Sequence, residues 1–262
     1  MENRSFQKDN LTVHIFPTRS EMGRQAAADI AAALRKLLAE KEEVNVMFAA
    51  APSQSDVHSA LISEEGIDWK RVNAFHMDEY VGLDASHPAG FRNFLKRALF
   101  DILPFKSINL INGNADDPEE EAERYSHLLD SCHMDICVMG IGENGHIAFN
   151  DPGVADFNDS KLVKVVELDE VCRQQQVNDK CFENLCEVPR KALTVTVPGL
   201  VRADTLFCIV PASTKARAVR RTLTEDISEE CPATVMRRHS HAVLYLDAAS
   251  SELLTETDAV SV

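Results

Sequence analysis

The sequence predicts a single α/β domain in which a doubly wound, largely parallel sheet carries helices on both faces, as in Rossmann-like proteins. Short apolar runs typical of buried strands alternate with helical patterns along the chain, and this alternation favours parallel strands joined by helical crossovers. The 262 residues are enough for one such domain with a large core. No internal repeat, low-complexity tract or linker divides the chain, so we expect residues 1–262 to form one domain.

The first half of the chain gives strands at residues 11–16, 44–50 and 72–75, each a short apolar run. Thr18 and Glu21 form a capping-box pattern, which predicts an alanine-rich helix from there to about Leu38. A second helix follows residue 50 and ends near 61. Apolar residues at helical spacing predict a third helix over 88–102. Asp117 followed by Pro118 is typical of a helix start and predicts a fourth helix ending near residue 129.

The second half repeats the alternation. Apolar runs predict strands at 134–139, 162–166, 192–197, 205–210 and 242–246. Helical patterns occur over 171–185 and 213–223. We expect the ends, about 1–9 and 250–262, to be frayed.

The charge and cysteine content limit the partners and the compartment. Acidic side chains number 42 against 27 basic ones, a formal charge of −15, which argues against nucleic acid or an anionic membrane surface as partner. Seven cysteines without a C-x-x-C pair favour reduced thiols. The N-terminus has no apolar signal core, and no apolar run is long enough to span a membrane. We therefore expect a soluble, cytoplasmic protein.

A glycine-rich loop over residues 140–153 is the most informative feature. It reads G-I-G-E-N-G-H-I-A-F-N-D-P-G and follows the predicted strand 134–139. Glycine allows the backbone to approach a ligand closely, and His146 with Asp151 supplies an imidazole and a carboxylate for proton transfer near neutral pH. The loop formally satisfies the dinucleotide pattern G-x-G-x-x-G, but no convincing helix begins at His146, so we do not expect NAD.

A second acidic position lies at another strand end. Asp78 follows the predicted strand 72–75, within F-H-M-D-E-Y-V-G-L. Open α/β sheets bind ligands at the carboxyl ends of their strands, so Asp78, His146 and Asp151 are expected to face one crevice.

The motifs M-D-E-Y-V-G-L and G-I-G-E-N-G-H-I-A-F-N-D-P together resemble the glucosamine-6-phosphate deaminase (isomerase) family, which is related to the 6-phosphogluconolactonases. The resemblance extends from about Leu11 to Asp247. It implies an amino-sugar phosphate as the small-molecule substrate, with no metal or redox cofactor. Self-association into a homo-oligomer stays open. The resemblance also implies that the helical segment near 160–187 acts as a lid.

The resemblance assigns roles to the polar residues of both motifs. It gives ring opening to His146, supported by Asn144 and by Asp151, where many family members carry glutamate. Asp78 is expected to move a proton between C2 and C1 of the sugar, and Gly145 is expected to bind the substrate. A 6-phosphogluconolactonase-like hydrolase and a non-catalytic sugar-phosphate sensor are the alternatives.

The phosphate is expected at helix starts, where free N–H groups and the helix dipole favour anions. The first start contains Ser53 and Gln54, in a loop that lacks the glycines usual in the family. The second contains Lys215, which matches a phosphate-binding lysine of the family. The resemblance also implies a basic residue from the lid, and Arg173 and Lys180 both qualify.

Overall fold

The computed structural model describes residues 3–255 and 258, and within them it contains eleven β-strands and seven α-helices. The strands are β1 (Arg4–Lys8), β2 (Leu11–Phe16), β3 (Val44–Phe48), β4 (Val72–His76), β5 (Asp78–Tyr80), β6 (Ser107–Asn109), β7 (Ile136–Met139), β8 (Val163–Glu167), β9 (Lys191–Val195), β10 (Thr205–Val210) and β11 (Ala242–Asp247). The helices are α1 (Arg19–Glu40), α2 (Ser55–Ile62), α3 (Phe91–Leu95), α4 (Pro118–Asp130), α5 (Glu170–Asn178), α6 (Val197–Val201) and α7 (Ala216–Thr224).

Eight strands form the central sheet in the order β1-β2-β11-β10-β7-β3-β4-β6. Every neighbouring pair is parallel except β1 and β2. Buried side chains of α1, α2 and α3 pack in one apolar cluster, and those of α4, α6 and α7 pack in a second cluster. The predicted doubly wound, largely parallel α/β fold is therefore confirmed. No helix within the described residues is long and apolar enough to cross a membrane.

The strand order reverses between β3 and β7. From β3 the chain proceeds through β4 to β6 at one edge, then returns to β7 on the other side of β3 and continues outward through β10 and β11. At such a switch point the loops that leave two adjacent strands diverge, which opens a crevice at the carboxyl ends of the strands. The loops after β3 and β7 therefore form the two walls of this crevice.

A small antiparallel sheet, β5-β9-β8, lies beside this crevice. It was not predicted as a separate sheet. Asp78 pairs with Thr194 in this sheet, so the strand that follows β4 is held by residues more than a hundred positions away. The pairing fixes the backbone that carries Asp78.

Several element boundaries differ from the predictions. Residues 1–9 were expected to be frayed, but β1 pairs with β2, and its Phe6 packs against the core. The predicted strand 192–197 ends earlier, because Thr196 caps α6 by accepting a hydrogen bond from the Gly199 N–H. Residues 250–262 were also expected to be frayed. This is wrong for the first two, since Ser250 and Ser251 are buried and hydrogen-bonded to Asp247. Residues 1–2, 256–257 and 259–262 lie outside the described part.

Two predicted helices are shorter than expected. The helix predicted over 88–102 begins at Phe91 and continues after α3 as a π-helical turn, Lys96–Phe100. The helix predicted over 171–185 ends at Asn178, and a 3-10 turn follows at Leu185–Glu187.

The capping of α1 provides a test of this fold. Thr18 accepts a hydrogen bond from the Glu21 N–H at 3.2 Å, as the capping box predicts. We expect Thr18→Ala to lower the free energy of unfolding by about 1 kcal/mol, because an orphan donor of the first turn is left unpaired. Denaturant unfolding would measure the change. Ser20→Ala, at an exposed position of the same turn, is the control and should change stability by less than about 0.5 kcal/mol. Equal losses in both variants would contradict the capping role.

Candidate active site

The crevice at the switch point gathers polar side chains from four strand ends. Gln54 follows β3, Asp78 follows β4, His146 follows β7 and Lys215 follows β10, and all four line the same crevice. Each of these residues is buried. The structure shows the predicted convergence of Asp78 and His146, whereas Asp151 lies against His146 Nδ1 and does not line the crevice. Water has little access to the groups that meet there.

His146 is backed by a carboxylate. Its Nδ1 lies 2.8 Å from Oδ1 of Asp151, which is fully buried. Asn144 joins the pair, because its Nδ2 donates to Asp151 Oδ1 at 2.9 Å and its Oδ1 accepts from the His146 N–H at 3.0 Å. Burial alone would raise the pKa of Asp151, but His146, Asn144 and Cys172 together lower it. Asp151 is thus an ionised carboxylate that fixes the orientation of the imidazole.

Two glycines shape this loop. A Cβ on Gly142 would lie 2.1 Å from the His146 ring, so only glycine leaves room for the imidazole. Gly145 has φ +93°, and a Cβ there would lie 2.6 Å from Cys231 Sγ. Gly145 is therefore required by the backbone, and its carbonyl accepts from the Ala233 N–H at 2.9 Å. Gly145 does not line the crevice, so its contact with the substrate stays a prediction.

Asp78 is a buried carboxyl group with no hydrogen bond or ion pair to another side chain within residues 3–255. Burial and the neighbouring Glu79 raise the pKa of Asp78 well above its ordinary value. Glu79 has a different environment, since its two oxygens accept from the backbone N–H groups of Phe91 and Arg92 at the start of α3. Asp78 is therefore the carboxyl group free to act in the crevice, whereas Glu79 holds a helix.

Lys215 enters the crevice from a 3-10 turn, Ser213–Lys215, that precedes α7. Its ammonium group makes no hydrogen bond or ion pair in the part of the chain that the structure describes. Burial lowers the pKa of Lys215, and Asp179 and Glu143 partly oppose this shift. A buried ammonium group without a partner is suited to bind an anionic group of a ligand.

Ser53 and Gln54 lie on the turn after β3 and also line the crevice. Gln54 Nε2 donates to the Ile209 carbonyl at 3.0 Å, which ties this turn to β10. Gln54 Oε1 is buried and has no hydrogen-bond partner among the described residues. The turn lacks glycine, so any ligand that it binds must be held by the Ser53 hydroxyl and by backbone N–H groups.

The structure does not bring the two basic candidates of the lid segment into the crevice. The Arg173 guanidinium donates to the carbonyls of Leu185 and Val188, and it thereby holds the loop after α5. Lys180 is exposed, at a backbone φ of +60° beyond the end of α5. A contact of either side chain with a ligand therefore requires this segment to move.

The sequence reasoning missed three residues of α5. Gln175 and Gln176 are buried and line the crevice, and Cys172 is buried beside Asp151. Gln175 Oε1 accepts from the Glu143 N–H at 2.8 Å, so α5 is joined to the glycine loop. The spacing of positions 172, 175 and 176 puts them on one helix face, and this pattern was the available signal.

The arrangement can carry out acid–base chemistry on a small molecule. An imidazole with its carboxylate, a separate carboxyl group of raised pKa and a buried ammonium group share one crevice at the switch point. Paired titratable groups in unlike environments are typical of sites that both remove and deliver protons. The fold and the site thus define an α/β enzyme with a small-molecule substrate.

A family model described as "Glucosamine-6-phosphate isomerases/6-phosphogluconolactonase" matches residues 17–245, and the chain belongs to this family. A glucosamine-6-phosphate deaminase of Bacillus cereus is 36% identical over 223 residues, which are 85% of this chain and 83% of that protein. One of Exiguobacterium sibiricum is 33% identical over 193 residues, 74% of this chain and 75% of that protein.

Solved structures agree on the fold. A monomeric glucosamine-6-phosphate deaminase superposes with a TM-score of 0.84 at 30% identity, covering 92% of this chain and 99% of its own. A 6-phosphogluconolactonase of Thermotoga maritima gives a TM-score of 0.72 at 18% identity, with 90% and 99% coverage. The second likeness bears on the fold alone.

The raised pKa of Asp78 predicts an unusual stability effect. Between the ordinary aspartate pKa of about 3.9 and the raised pKa, the folded protein binds more protons than the unfolded chain. Stability is therefore lost as the pH rises through this window. We expect Asp78→Asn, which cannot ionise, to raise the melting temperature by roughly 3 °C or more at neutral pH and by less near pH 4. Thermal melts across the pH range measure the difference.

Asp84→Asn is the matched control. The pKa of the exposed Asp84 is lowered by hydrogen bonds from Ser86, so its sign is opposite and its replacement should not stabilise the protein. The assignment would be contradicted if the difference in melting temperature between Asp78→Asn and the parent were smaller at neutral pH than at acid pH.

Proposed function

We propose that the protein converts glucosamine 6-phosphate and water into fructose 6-phosphate and ammonia. The observation that carries this proposal is the buried, unpaired Asp78 carboxyl group, which lines the same crevice as His146 with its partner Asp151. Deaminases at 33–36% identity, over most of this chain, support the same reaction. The lactonase alternative hydrolyses an ester and needs no carbon acid to be deprotonated.

Ring opening is the first step. The ring oxygen must gain a proton while the anomeric hydroxyl loses one, and His146 is the group in the crevice that can exchange protons near neutral pH. Asp151 fixes the imidazole, and Asn144 holds both residues by its two hydrogen bonds. Asp151 is one methylene shorter than the glutamate common in the family. The 2.8 Å separation from Nδ1 supports the proposal that it still orients His146.

The open-chain amino aldehyde then needs a base at C2. Asp78 takes the C2 proton and the C2–H electron pair forms the C1–C2 double bond, while the C1=O π pair moves to O1, which takes the proton that the C2 ammonium group loses. The Asp78 carboxyl group then returns a proton to C1 as the nitrogen lone pair forms the C2–N double bond. The product is an imine at C2, and water adds to it and expels ammonia. A carboxyl group of ordinary pKa is a weak base for this step, and the raised pKa of Asp78 brings it nearer the working pH.

The phosphate is assigned to the part of the crevice that Lys215 and the turn after β3 line. Lys215 supplies the buried ammonium group, and the Ser53 hydroxyl with the turn N–H groups supplies neutral donors. Because C6 carries the phosphate, it is remote from C1 and C2. It therefore contributes to binding and orientation more than to the proton transfers.

An ammonia-release assay tests the proposal. We expect one equivalent of ammonia for each fructose 6-phosphate formed, with glucosamine 6-phosphate as substrate. Asp78→Asn should reduce turnover by about 10²–10⁴-fold, because the base is lost, and should leave substrate affinity within several-fold. Asp84→Asn, at an exposed carboxylate in the loop after β5, is the control and should retain full activity.

The outcomes separate the alternatives. Binding of sugar phosphates without any ammonia would show a sensor. Hydrolysis of 6-phosphogluconolactone, with the amino sugar left intact, would show a lactonase. Near-normal turnover of Asp78→Asn would remove Asp78 from the proton-transfer step.

A second test concerns the phosphate site. We expect Lys215→Ala to raise KM about 10–100-fold with a smaller loss in kcat, because a charge-assisted contact contributes about 1.5–3 kcal/mol. Steady-state kinetics and calorimetry with inorganic phosphate measure both effects. Lys70→Ala, an exposed lysine outside the crevice, is the control. Unchanged phosphate affinity in Lys215→Ala would place the anion elsewhere.

A further inference from the structure

Three different metal-ligating atoms converge behind the His146 imidazole. A ring nitrogen of His146, a carboxylate oxygen of Asp151 and Cys172 Sγ all lie within 4.8 Å of one another, and Nδ1 is the nitrogen that approaches Asp151. The first two residues come from the glycine loop and the third from α5. All three residues are buried.

One oxygen of this cluster is left without a hydrogen bond. Asp151 Oδ2 is a buried polar atom with no hydrogen-bond partner among the described residues. His146 Nδ1 lies 2.8 Å from the other oxygen, Asp151 Oδ1, and this contact orients the imidazole. Buried polar atoms are nearly always paired, so an unpaired carboxylate oxygen beside an imidazole and a thiol indicates room for a further ligand.

We propose that His146, Asp151 and Cys172 form a binding site for one thiophilic divalent cation of the Zn²⁺ type. Nitrogen, oxygen and sulfur from these three residue types are the ligand set that Zn²⁺ prefers. In a tetrahedron with bonds of about 2.0–2.3 Å, ligand atoms are about 3.3–3.8 Å apart, which small shifts of the three side chains would give. The fourth position is left for water.

The charges balance when the ion binds. The metal–sulfur bond forms as the Cys172 S–H bond breaks, and its proton passes to the buffer. One thiolate and one carboxylate then neutralise the dication. Burial, Asp151 and Asp169 raise the pKa of Cys172 and keep the thiol protonated without a metal, but a bound cation reverses this preference.

The position of the site predicts the kind of inhibition. His146 lines the crevice, whereas Asp151 and Cys172 do not, so the ion lies behind the imidazole and outside the space for the sugar. The ion would be coordinated by Nδ1 and by the carboxylate that orient His146 for proton transfer. We therefore expect the ion to reduce turnover without displacing the substrate. This consequence rests on the proposed function, whereas metal binding itself does not.

A second cluster offers an internal comparison. His133, Asp135 and Asp204 also hold ligating atoms within 4.8 Å of one another, but His133 and Asp204 are exposed. The Lys41 ammonium group already contacts both carboxylates, and no thiol is present. This cluster is therefore expected to bind Zn²⁺ weakly.

The experiment uses the reduced, metal-stripped full chain and Co²⁺ as a spectroscopic probe for Zn²⁺. We expect one Co²⁺ per chain with a sulfur-to-cobalt charge-transfer band, and Zn²⁺ should displace it. Cys172→Ser should abolish the band and weaken Zn²⁺ binding by about 100-fold or more, beyond the effect of an outer-sphere residue. Cys186→Ser, at an exposed cysteine, should leave both unchanged. Thermal melts confirm that each variant is folded.

Several results would overturn the proposal. They are the absence of a cobalt–thiolate band, its persistence in Cys172→Ser, its loss in Cys186→Ser, and removal of Zn²⁺ binding by His133→Ala. In the kinetic arm, Zn²⁺ should lower kcat while KM stays within about threefold, and any activity of Cys172→Ser should resist Zn²⁺. A rise in KM alone would place the ion in the crevice and contradict the assigned position. If glucosamine 6-phosphate is no substrate, the cobalt spectrum still decides the metal site.

Discussion

The burial of ionisable groups at the carboxyl edge of the parallel sheet is the constraint on which the site depends. Asp78, His146, Asp151 and Lys215 are all almost inaccessible to water, although such groups are stabilised by hydration. The fold tolerates this because the strand order reverses between β3 and β7, so four loops can surround a small volume. The same desolvation that opposes folding moves the pKa values of Asp78 and Lys215 toward neutrality, in opposite directions. Reactivity and instability therefore have one cause here.

The large parallel sheet could be predicted because its strands are short apolar runs separated by helical patterns, a local signal. The strand Thr205–Val210 and the cap at Thr18 have the predicted positions. The antiparallel sheet could not be predicted in this way. Asp78–Tyr80 is a strand only because it pairs with residues near 193, and a three-residue segment carries no periodicity of its own. The strand Arg4–Lys8 was missed for a similar reason, since its pairing with β2 decides its structure.

The site residues also differ in how far they could be predicted from the sequence. Asp78, His146 and Lys215 could be predicted to converge, because the carboxyl ends of parallel strands meet at one edge of the sheet. The direction in which a long side chain points could not be predicted. Arg173 donates to two carbonyls of the loop after α5, and that loop's course depends on packing that no motif encodes. Gln175 and Gln176 were overlooked because amides on a polar helix ordinarily face solvent, and only the tertiary structure buries them.

The hydrogen bonds of Asn144 join the lid segment to the acid–base pair. Its Nδ2 lies 2.9 Å from Asp151 Oδ1 and 3.4 Å from Asp169 Oδ2, and Asp169 caps α5 by accepting from the Cys172 N–H. The first turn of α5 is thus held by the same amide that holds the partner of His146. Any displacement of the first turn of α5 would therefore disturb the amide that holds Asp151. The position of α5 and the orientation of the imidazole are therefore coupled, because a single amide donates to both carboxylates.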